Sequence, residues 1–170
     1  EQIQVVPTHE PVRENRFWKI TAHHREFNGY DWTIYHDTNL LLSQKPQDII
    51  KCYPSDLTTL QHTKRHADLY DEADWVIGKN YGERSTVEAQ IRRYDIPRGS
   101  GCCKCGLLIR RQTEGNARLG ELWWPEVRDY CHRDQISFPW AAWKAGVKWQ
   151  TASPNLFRWR KHAGARTVFN

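Results

Sequence analysis

The sequence predicts an α/β fold, in which helices flank a mixed, mostly parallel central sheet. Runs of β-branched and aromatic residues alternate along the chain with segments of helical periodicity, and this alternation is typical of such folds. With 39% hydrophobic residues and nine tryptophans, the 170 residues are sufficient for one domain with a substantial core. No repeat, low-complexity tract or linker divides the chain, so we assign residues 1–170 to a single domain.

In the first half of the chain, proline and glycine mark the boundaries of the predicted elements. Pro7 closes a short alternating strand, and Gly29 separates a helix from the aromatic strand that follows. Pro46 favours the first turn of another helix. The predicted elements are strands over residues 2–6, 30–36 and 57–61, a helix over residues 15–22 and a helix that begins at residue 45.

In the second half, helical periodicity predominates. Ser85 and Glu88 have the spacing of a capping box at a helix N-terminus. Pro139 is expected to kink or interrupt the last helix, because proline has no amide hydrogen to donate. The predicted elements are helices over residues 70–76, 85–94, 120–130 and 134–145, a loop over residues 99–106, and strands over residues 107–110 and 147–150.

The chain carries a scattered excess of positive charge. Lysine and arginine number 25 against 20 acidic residues, which gives a net charge of +5. The basic residues form no long block or basic amphipathic helix, and this favours a small phosphorylated ligand over a nucleic acid as partner. No apolar run is long enough for a transmembrane segment, and no signal peptide is visible.

The five cysteines form an odd set, which argues against a closed disulfide framework. Cys102, Cys103 and Cys105 offer a site for a soft metal if Cys131 or His132 completes the ligands. The paired spacing of common zinc motifs is absent, which favours reduced, partly buried thiols. Reduced thiols and the lack of a signal peptide predict a cytoplasmic location.

Asp37 and Asn39 follow the predicted strand over residues 30–36 and are separated by one residue. Two oxygen-bearing side chains at this spacing can converge on one hard cation, and Mg²⁺ and Mn²⁺ prefer such ligands. Ligands of open α/β sheets also bind at the carboxyl ends of strands. The alternative is an Asx-type turn, in which Asn39 stabilises only the backbone.

Arg133, Asp134 and Gln135 precede an apolar helical run. A carboxylate at a helix N-terminus gains from the helix dipole, and Asp134 could simply cap the helix. The functional interpretation makes Asp134 a general base for a hydroxyl group, or a ligand of a sugar hydroxyl. Arg133 and Gln135 would then orient Asp134 or bind substrate.

Three further groups of residues have a functional and a structural interpretation. In the tail, His162 could bind the metal of Asp37 while Arg160 and Lys161 neutralise a diphosphate, or the tail could be a solvated terminus. The polar cluster over residues 62–66 could bind substrate or begin an exposed helix. The tryptophans at positions 123 and 124 could pack in the core or form a platform for a sugar ring.

The order and spacing of these residues resemble the TOD/MUCI glycosyltransferase-like domain family from about residue 16 to residue 162. The chain contains no GxGxxG, Walker or GxSxG motif, which argues against Rossmann dehydrogenases, P-loop NTPases and α/β-hydrolases. The motifs that carry the resemblance are Arg16-x-x-Lys19-Ile20, Asp37-x-Asn39, His62-x-x-Arg65, Tyr70-x-Glu72-Ala73, Gln90-x-x-x-Tyr94, Leu108-Ile109-Arg110, Trp123-Trp124-x-Glu126 and Arg133-Asp134-Gln135-Ile136-Ser137-Phe138.

The resemblance implies a GT-A type fold and transfer of a hexosyl or deoxyhexosyl group from a nucleotide-sugar, with a UDP-sugar favoured, to a glycan or glycoconjugate hydroxyl. It implies roles in polysaccharide biosynthesis and a DxD-like motif that holds Mn²⁺ or Mg²⁺. The implied metal ligands are Asp37, Asn39 and His162, and the implied catalytic residue is Asp134. The other implied residues are Arg16, Lys19, Arg133, Gln135, Arg160 and Lys161 for the donor, and His62, Arg65, Arg110, Trp123 and Trp124 for the acceptor.

The chain departs from the family pattern in two ways. Its motif ends in Asn39 rather than in a second aspartate, and we expect that the N-terminal unit that binds the nucleotide base in GT-A enzymes is missing. Because the sequence has no methionine, we expect that it begins inside a longer reading frame. The plant members suggest a secretory compartment as the alternative location. The alternative functions are a non-catalytic binding module, including a nucleic-acid binder, and a metal-dependent phosphodiesterase.

Overall fold

The computed structural model describes residues 10–62 and 68–159, in which helices and short strands alternate. The helices are α1 (Pro11–Arg25), α2 (Pro46–Cys52), α3 (Leu69–Gly78), α4 (Arg84–Arg92), α5 (Glu114–Asp129) and α6 (Asp134–Ala145). The strands are β1 (Trp32–His36), β2 (Leu40–Leu42), β3 (Leu57–Gln61), β4 (Cys103–Arg111), β5 (Gln150–Ala152) and β6 (Phe157–Trp159). The predicted α/β class is confirmed.

A four-stranded sheet in the order β1-β4-β3-β5 lies at the centre. Its longest strand, β4, pairs antiparallel with both β1 and β3, and β5 pairs parallel with β3. The prediction of a mostly parallel sheet is therefore wrong. Strand direction depends on pairings between distant residues, such as Leu57 with Arg110, and local hydrophobic periodicity contains no information about them.

A second, two-stranded sheet joins β2 to β6 in antiparallel register. The amide of Leu40, the first residue of β2, donates to the carbonyl of Asp37 at 2.9 Å. Leu40 is also paired with Trp159, the last residue of β6. The C-terminal strand therefore lies beside the turn that contains Asp37 and Asn39.

Alternate residues of β4 face two apolar clusters, as expected of a strand buried on both faces. Leu108 belongs to the cluster that α1, α5 and α6 form on one face, together with Trp123 and Phe138. Leu107 and Ile109 point to the other face and pack with residues of β2 and α2. A third cluster joins α3, α4 and α6. Because α1 and α6 pack on the same face, Lys19 in the middle of α1 meets Asp134 at the start of α6.

The capping box predicted at Ser85 is not formed. Helix α4 begins one residue earlier, and the carboxylate of Glu83 accepts the amide hydrogens of Ser85 at 3.1 Å and Thr86 at 2.8 Å. Glu83 therefore is the N-cap residue, and its carboxylate satisfies two of the free amides of the first turn.

Two predicted boundaries in the second half were also wrong. The expected loop over residues 99–106 ends early, because β4 already begins at Cys103. The strand expected over residues 147–150 lies at Gln150–Ala152. Helix α6 continues through Pro139, so this proline does not end it. The strand predicted over residues 2–6 lies outside the described residues.

His23 in α1 gives the fold a predictable dependence on pH. Its side chain is fully buried, with Nδ1 at 2.7 Å from the Thr33 hydroxyl. Burial, with the nearby Arg110 charge, lowers the pKa of His23 from 6.5 to about 3. The unfolded chain therefore binds a proton below pH 6.5 that the folded chain does not. Stability should decrease as the pH falls from 6.5 towards 3, with a slope approaching about 1.4 kcal/mol per pH unit.

Urea unfolding of the wild type and of His23→Gln on both sides of pH 6.5 tests this prediction. The free energy of unfolding of the variant should depend less steeply on pH in this range. Equal slopes in the two proteins would contradict it.

Candidate active site

One cavity, of about 180 Å³, lies between the middle of α1, the start of α6, the turn after β1 and the inner strands β3 and β4. It brings together seven residues that the sequence predicts for the site, from segments that lie far apart in the chain. Its lining residues are Arg16, Lys19, Asp37, Asn39, Leu40, Leu60, Lys104, Cys105, Gly106, Arg133, Asp134 and Gln135.

Asp134 forms a buried ion triad at the base of this cavity. Its Oδ2 atom lies 2.6 Å from Nζ of Lys19 and 3.2 Å from Nε of Arg16. The Lys19 side chain is 2% exposed and that of Asp134 5%. Burial by itself would raise the pKa of the Asp134 carboxyl, but the charges of Lys19 and Arg16 hold it below its ordinary value. Asp134 is therefore ionised, and it serves as a partner for two cations rather than as a helix cap.

Asp37 is held at the cavity by its backbone and by a tyrosine. Its amide donates to the carbonyl of Gly106 at 2.8 Å, and the hydroxyl of Tyr35 donates to its Oδ1 at 2.9 Å. Nζ of Lys19 lies 3.9 Å from the same oxygen. Burial, followed by the charge of Asp37, raises the pKa of Tyr35, so the phenol stays protonated and donates. Lys19 thus lies between the two carboxylates of the cavity.

Asn39 does not stabilise the turn in the way that the Asx alternative requires. Its Oδ1 atom is buried and has no hydrogen-bond partner within the described structure. A buried amide oxygen without a protein partner costs free energy, so this atom is open to a ligand, a water molecule or an ion. Asp37 and Asn39 both line the cavity and offer it hard oxygen donors, a donor set that fits Mg²⁺ or Mn²⁺.

Arg133 and Gln135 also line the cavity. Nη2 of Arg133 donates to Oε1 of Gln135 at 2.9 Å and to Oε1 of Glu72 at 3.3 Å. Nε2 of Gln135 donates to the carbonyl of Cys103 at 3.3 Å. These contacts orient Arg133, so its guanidinium is positioned before any ligand binds.

The structure adds Lys104 and Cys105 to the residues that line the cavity. The sequence analysis missed them because it placed both in a loop, whereas they belong to β4. Burial and the neighbouring sulfur of Cys103 raise the pKa of the Cys105 thiol, which keeps it protonated and unreactive. The four basic side chains of the lining outnumber its two carboxylates, so the cavity favours an anion.

Two of the predicted acceptor residues lie in the core. Trp123 is 1% exposed, and its indole nitrogen donates to the carbonyl of Asp134 at 3.1 Å. Arg110 is 4% exposed and donates to the carbonyls of Lys19 and Ile20 in α1. Their burial contradicts the predicted contact with an acceptor sugar. Both instead support residues of the ion triad from behind.

The other predicted residues do not line the cavity or lie outside the described residues. The side chain of His62 is 6% exposed and contacts Glu72, and Trp124 is half-buried against Phe17 of α1. Arg65, Arg160, Lys161 and His162 lie outside the described residues.

The cysteines do not gather into the soft-metal site that the sequence left as an alternative to reduced thiols. Cys103 and Cys105 point into the core beneath α5 and α6, whereas Cys131 belongs to the cluster between α3 and α6. Cys102, which precedes β4, belongs to neither cluster. All five cysteines are free thiols. Within residues 10–62 and 68–159, no helix has the length and apolar character that a bilayer crossing demands.

Comparison with known proteins identifies the family. No curated protein and no solved structure gives a significant match to the chain. A family model described as "TOD1/MUCI70, glycosyltransferase-like domain" matches residues 2–163, nearly the whole chain and every segment that contributes to the cavity. The chain therefore belongs to the TOD1/MUCI70 glycosyltransferase-like domain family.

Proposed function

We propose that this protein is a metal-dependent glycosyltransferase that moves a sugar from a nucleotide-sugar, with a UDP-sugar as the first candidate, to a hydroxyl of a glycan or glycoconjugate. The observation that supports it best is the composition of the cavity: oxygen donors on one wall and an excess of fixed cations around them. A nucleotide diphosphate bound with a divalent cation needs both features. The family assignment supports the same reaction class.

The basic residues are suited to the donor diphosphate. Arg16, Lys19, Lys104 and Arg133 approach the cavity from α1, β4 and the start of α6. Arg16 and Lys19 share the carboxylate of Asp134, and Arg133 is held by Glu72 and Gln135. Cations that are oriented in advance stabilise a developing negative charge without reorganisation during the reaction.

Asp37 and Asn39 are the residues that would hold Mn²⁺ or Mg²⁺. Bound there, the ion would neutralise part of the charge on the departing diphosphate. His162 is the third predicted ligand, and it lies outside the described residues.

In the proposed reaction, the bond from the anomeric carbon to the diphosphate oxygen breaks and its electron pair leaves with the nucleotide. The acceptor oxygen forms the new bond to the anomeric carbon and loses its proton. Asp134 receives this proton. Its low pKa makes it a weak base, but a hydroxyl that attacks an oxocarbenium-like carbon becomes acidic and does not need a strong one.

Calorimetry with a panel of UDP- and GDP-sugars, each with and without Mn²⁺, tests the proposal. The expected result is saturable binding of at least one donor that becomes tighter with Mn²⁺, followed by slow release of nucleotide when glycan acceptors are present. Absence of binding for every donor would contradict the proposal. Mn²⁺-dependent cleavage of a generic phosphodiester, with no transfer of sugar, would support the phosphodiesterase instead.

We also propose a cytoplasmic location, which the five free thiols support. Labelling of the native protein in cells with a thiol reagent tests it. Thiols that react only after reduction would indicate an oxidising compartment.

A further inference from the structure

A second polar cluster lies behind the cavity and takes no part in the proposed reaction. His62, Glu72 and Cys102 each offer one ligand atom, and these atoms all lie within 4.8 Å of one another. None of the three residues lines the cavity. In the described part of the chain, this is the one group of three or more histidine, cysteine and acidic side chains that converges in this way.

The fold itself brings the three side chains together. In the antiparallel pair β3–β4, Leu60 is opposite Lys104 and Gln61 is opposite Cys103. If this register continued by one residue beyond the two strands, it would bring His62 opposite Cys102, which agrees with the closeness of their ligand atoms. The third member, Glu72, projects from the first turns of α3.

Hydrogen bonds fix the loop before Cys102 against α3. Asp68, the N-cap of α3, accepts the amides of Tyr70 and Asp71 and, through Oδ2, the amide of Gly99 at 2.8 Å. The hydroxyl of Tyr70 donates to the carbonyl of Ile96 at 3.0 Å. The positions of Cys102 and Glu72 are therefore set by the same helix start, as a preformed site requires.

The donor set and its spacing suit zinc. One imidazole nitrogen, one carboxylate oxygen and one sulfur are a ligand combination of Zn²⁺, whereas Mg²⁺ and Mn²⁺ prefer oxygen alone. Tetrahedral zinc separates such atoms by roughly 3.3–3.6 Å, as its bond lengths dictate. Nε2 of His62 and Oε2 of Glu72 already lie 3.4 Å apart, with side chains 6% and 1% exposed. The Cys102 sulfur lies within 4.8 Å of both atoms.

We propose that His62, Glu72 and Cys102 bind Zn²⁺, with water in the fourth position. Binding releases the thiol proton of Cys102 to solvent, so that one carboxylate and one thiolate balance the charge of the ion. Glu72 keeps its second oxygen on Arg133, since Oε1 lies 3.3 Å from Nη2 while Oε2 faces His62. The zinc ion thereby fixes the residue that orients one cation of the cavity.

Cobalt substitution tests this site without any assay of transfer. Protein freed of metal by chelation is titrated with Co²⁺, and we expect one equivalent to produce the sulfur-to-cobalt charge-transfer band in the near ultraviolet. Zn²⁺ should abolish the band and raise the thermal midpoint. Cys102→Ser should lose the band and bind zinc at least about tenfold more weakly, since one of the three protein ligands is gone.

Three further variants define the site. His62→Gln should weaken cobalt binding as Cys102→Ser does, and circular dichroism verifies that both are folded before the titration. Cys52→Ser removes an exposed thiol of α2 and should bind like the wild type. Asp37→Ala should also keep the band, because this site does not depend on the proposed donor site. A wild type without the band, or a band that survives in Cys102→Ser, would overturn the proposal.

Discussion

Asp134→Asn is expected to lower the free energy of unfolding by about 3–5 kcal/mol, the usual cost of removing one partner from a buried ion pair. The substitution preserves shape but leaves Lys19, 2% exposed, and Arg16 without their shared carboxylate. Transfer activity should also fall, because the proposed proton acceptor is lost and the two cations lose their fixed positions. Urea unfolding and an assay of sugar transfer measure the two effects separately.

Two controls distinguish the effect of breaking the buried ion triad from the effect of removing an exposed charge. Glu88→Gln removes a carboxylate from an exposed pair with Arg84 and should cost less than about 1 kcal/mol. In the double variant Lys19→Met with Asp134→Leu, no charge remains unpaired between these two positions. This double variant should be more stable than Asp134→Asn, because two apolar side chains can replace a buried ion pair at little net cost in free energy. If the double variant lost as much free energy of unfolding as Lys19→Met and Asp134→Leu lose in sum, the proposed coupling of Lys19 and Asp134 would be contradicted.

The contribution of Asp134 to the free energy of unfolding depends on pH with a defined sign. The carboxyl pKa of Asp134 is lowered in the folded state, so its contribution is complete above the ordinary value of 3.8 and is lost as the pH falls through the lower, folded-state value. The difference in stability between wild type and Asp134→Asn should therefore be constant near neutral pH and shrink only below 3.8. A difference that shrinks already near pH 6.5, where His23 begins to act, would indicate another cause.

Gly106→Ala should reduce metal-dependent donor binding by about tenfold or more, which corresponds to at least about 1.4 kcal/mol. A Cβ atom at Gly106 would lie 2.9 Å from Oδ2 of Asp37 and 3.6 Å from Cδ1 of Leu40. The Asp37 carboxylate is therefore forced to move, while the backbone hydrogen bond from the Asp37 amide to the Gly106 carbonyl holds the turn in place. Donor titration in the presence of Mn²⁺ is the measurement.

Gly29→Ala is the matched control for this substitution. No atom of another part of the chain lies within 4 Å of a Cβ at Gly29, and Gly29 is not among the residues that line the cavity. It should bind the donor like the wild type. Wild-type affinity in Gly106→Ala would show that the position of the Asp37 carboxylate does not matter for binding.

The parts of the site that the sequence predicted are those marked by local patterns. A β-branched run that stops at a carboxylate indicated Asp37, and an apolar run that begins after a carboxylate indicated Asp134. Both patterns involve only residues that are adjacent in the sequence. The structure places Asp37 and Asp134 at one cavity. Arg16 and Lys19 were assigned through the family resemblance, and their spacing within one helix places them on the same face.

The parts that the sequence did not predict depend on distant pairings. Lys104 was missed because the start of β4 is defined by its pairing with β3, not by its own glycine- and cysteine-rich sequence. Trp123 and Arg110 were assigned to substrate because nothing local distinguishes a buried arginine or tryptophan from an exposed one. Their burial follows from the packing of α1 and α5 on the sheet.

The central claim is that Asp37 couples a divalent cation to the binding of a nucleotide diphosphate. The most direct measurement is a titration with UDP, with and without Mn²⁺, of the wild type, of Asp37→Ala and of the surface control Asp48→Ala. We expect Mn²⁺ to tighten binding by about tenfold or more in the wild type and the control. In Asp37→Ala the effect of Mn²⁺ should disappear, while weak binding to the basic residues remains. An undiminished effect of Mn²⁺ in Asp37→Ala would contradict the claim.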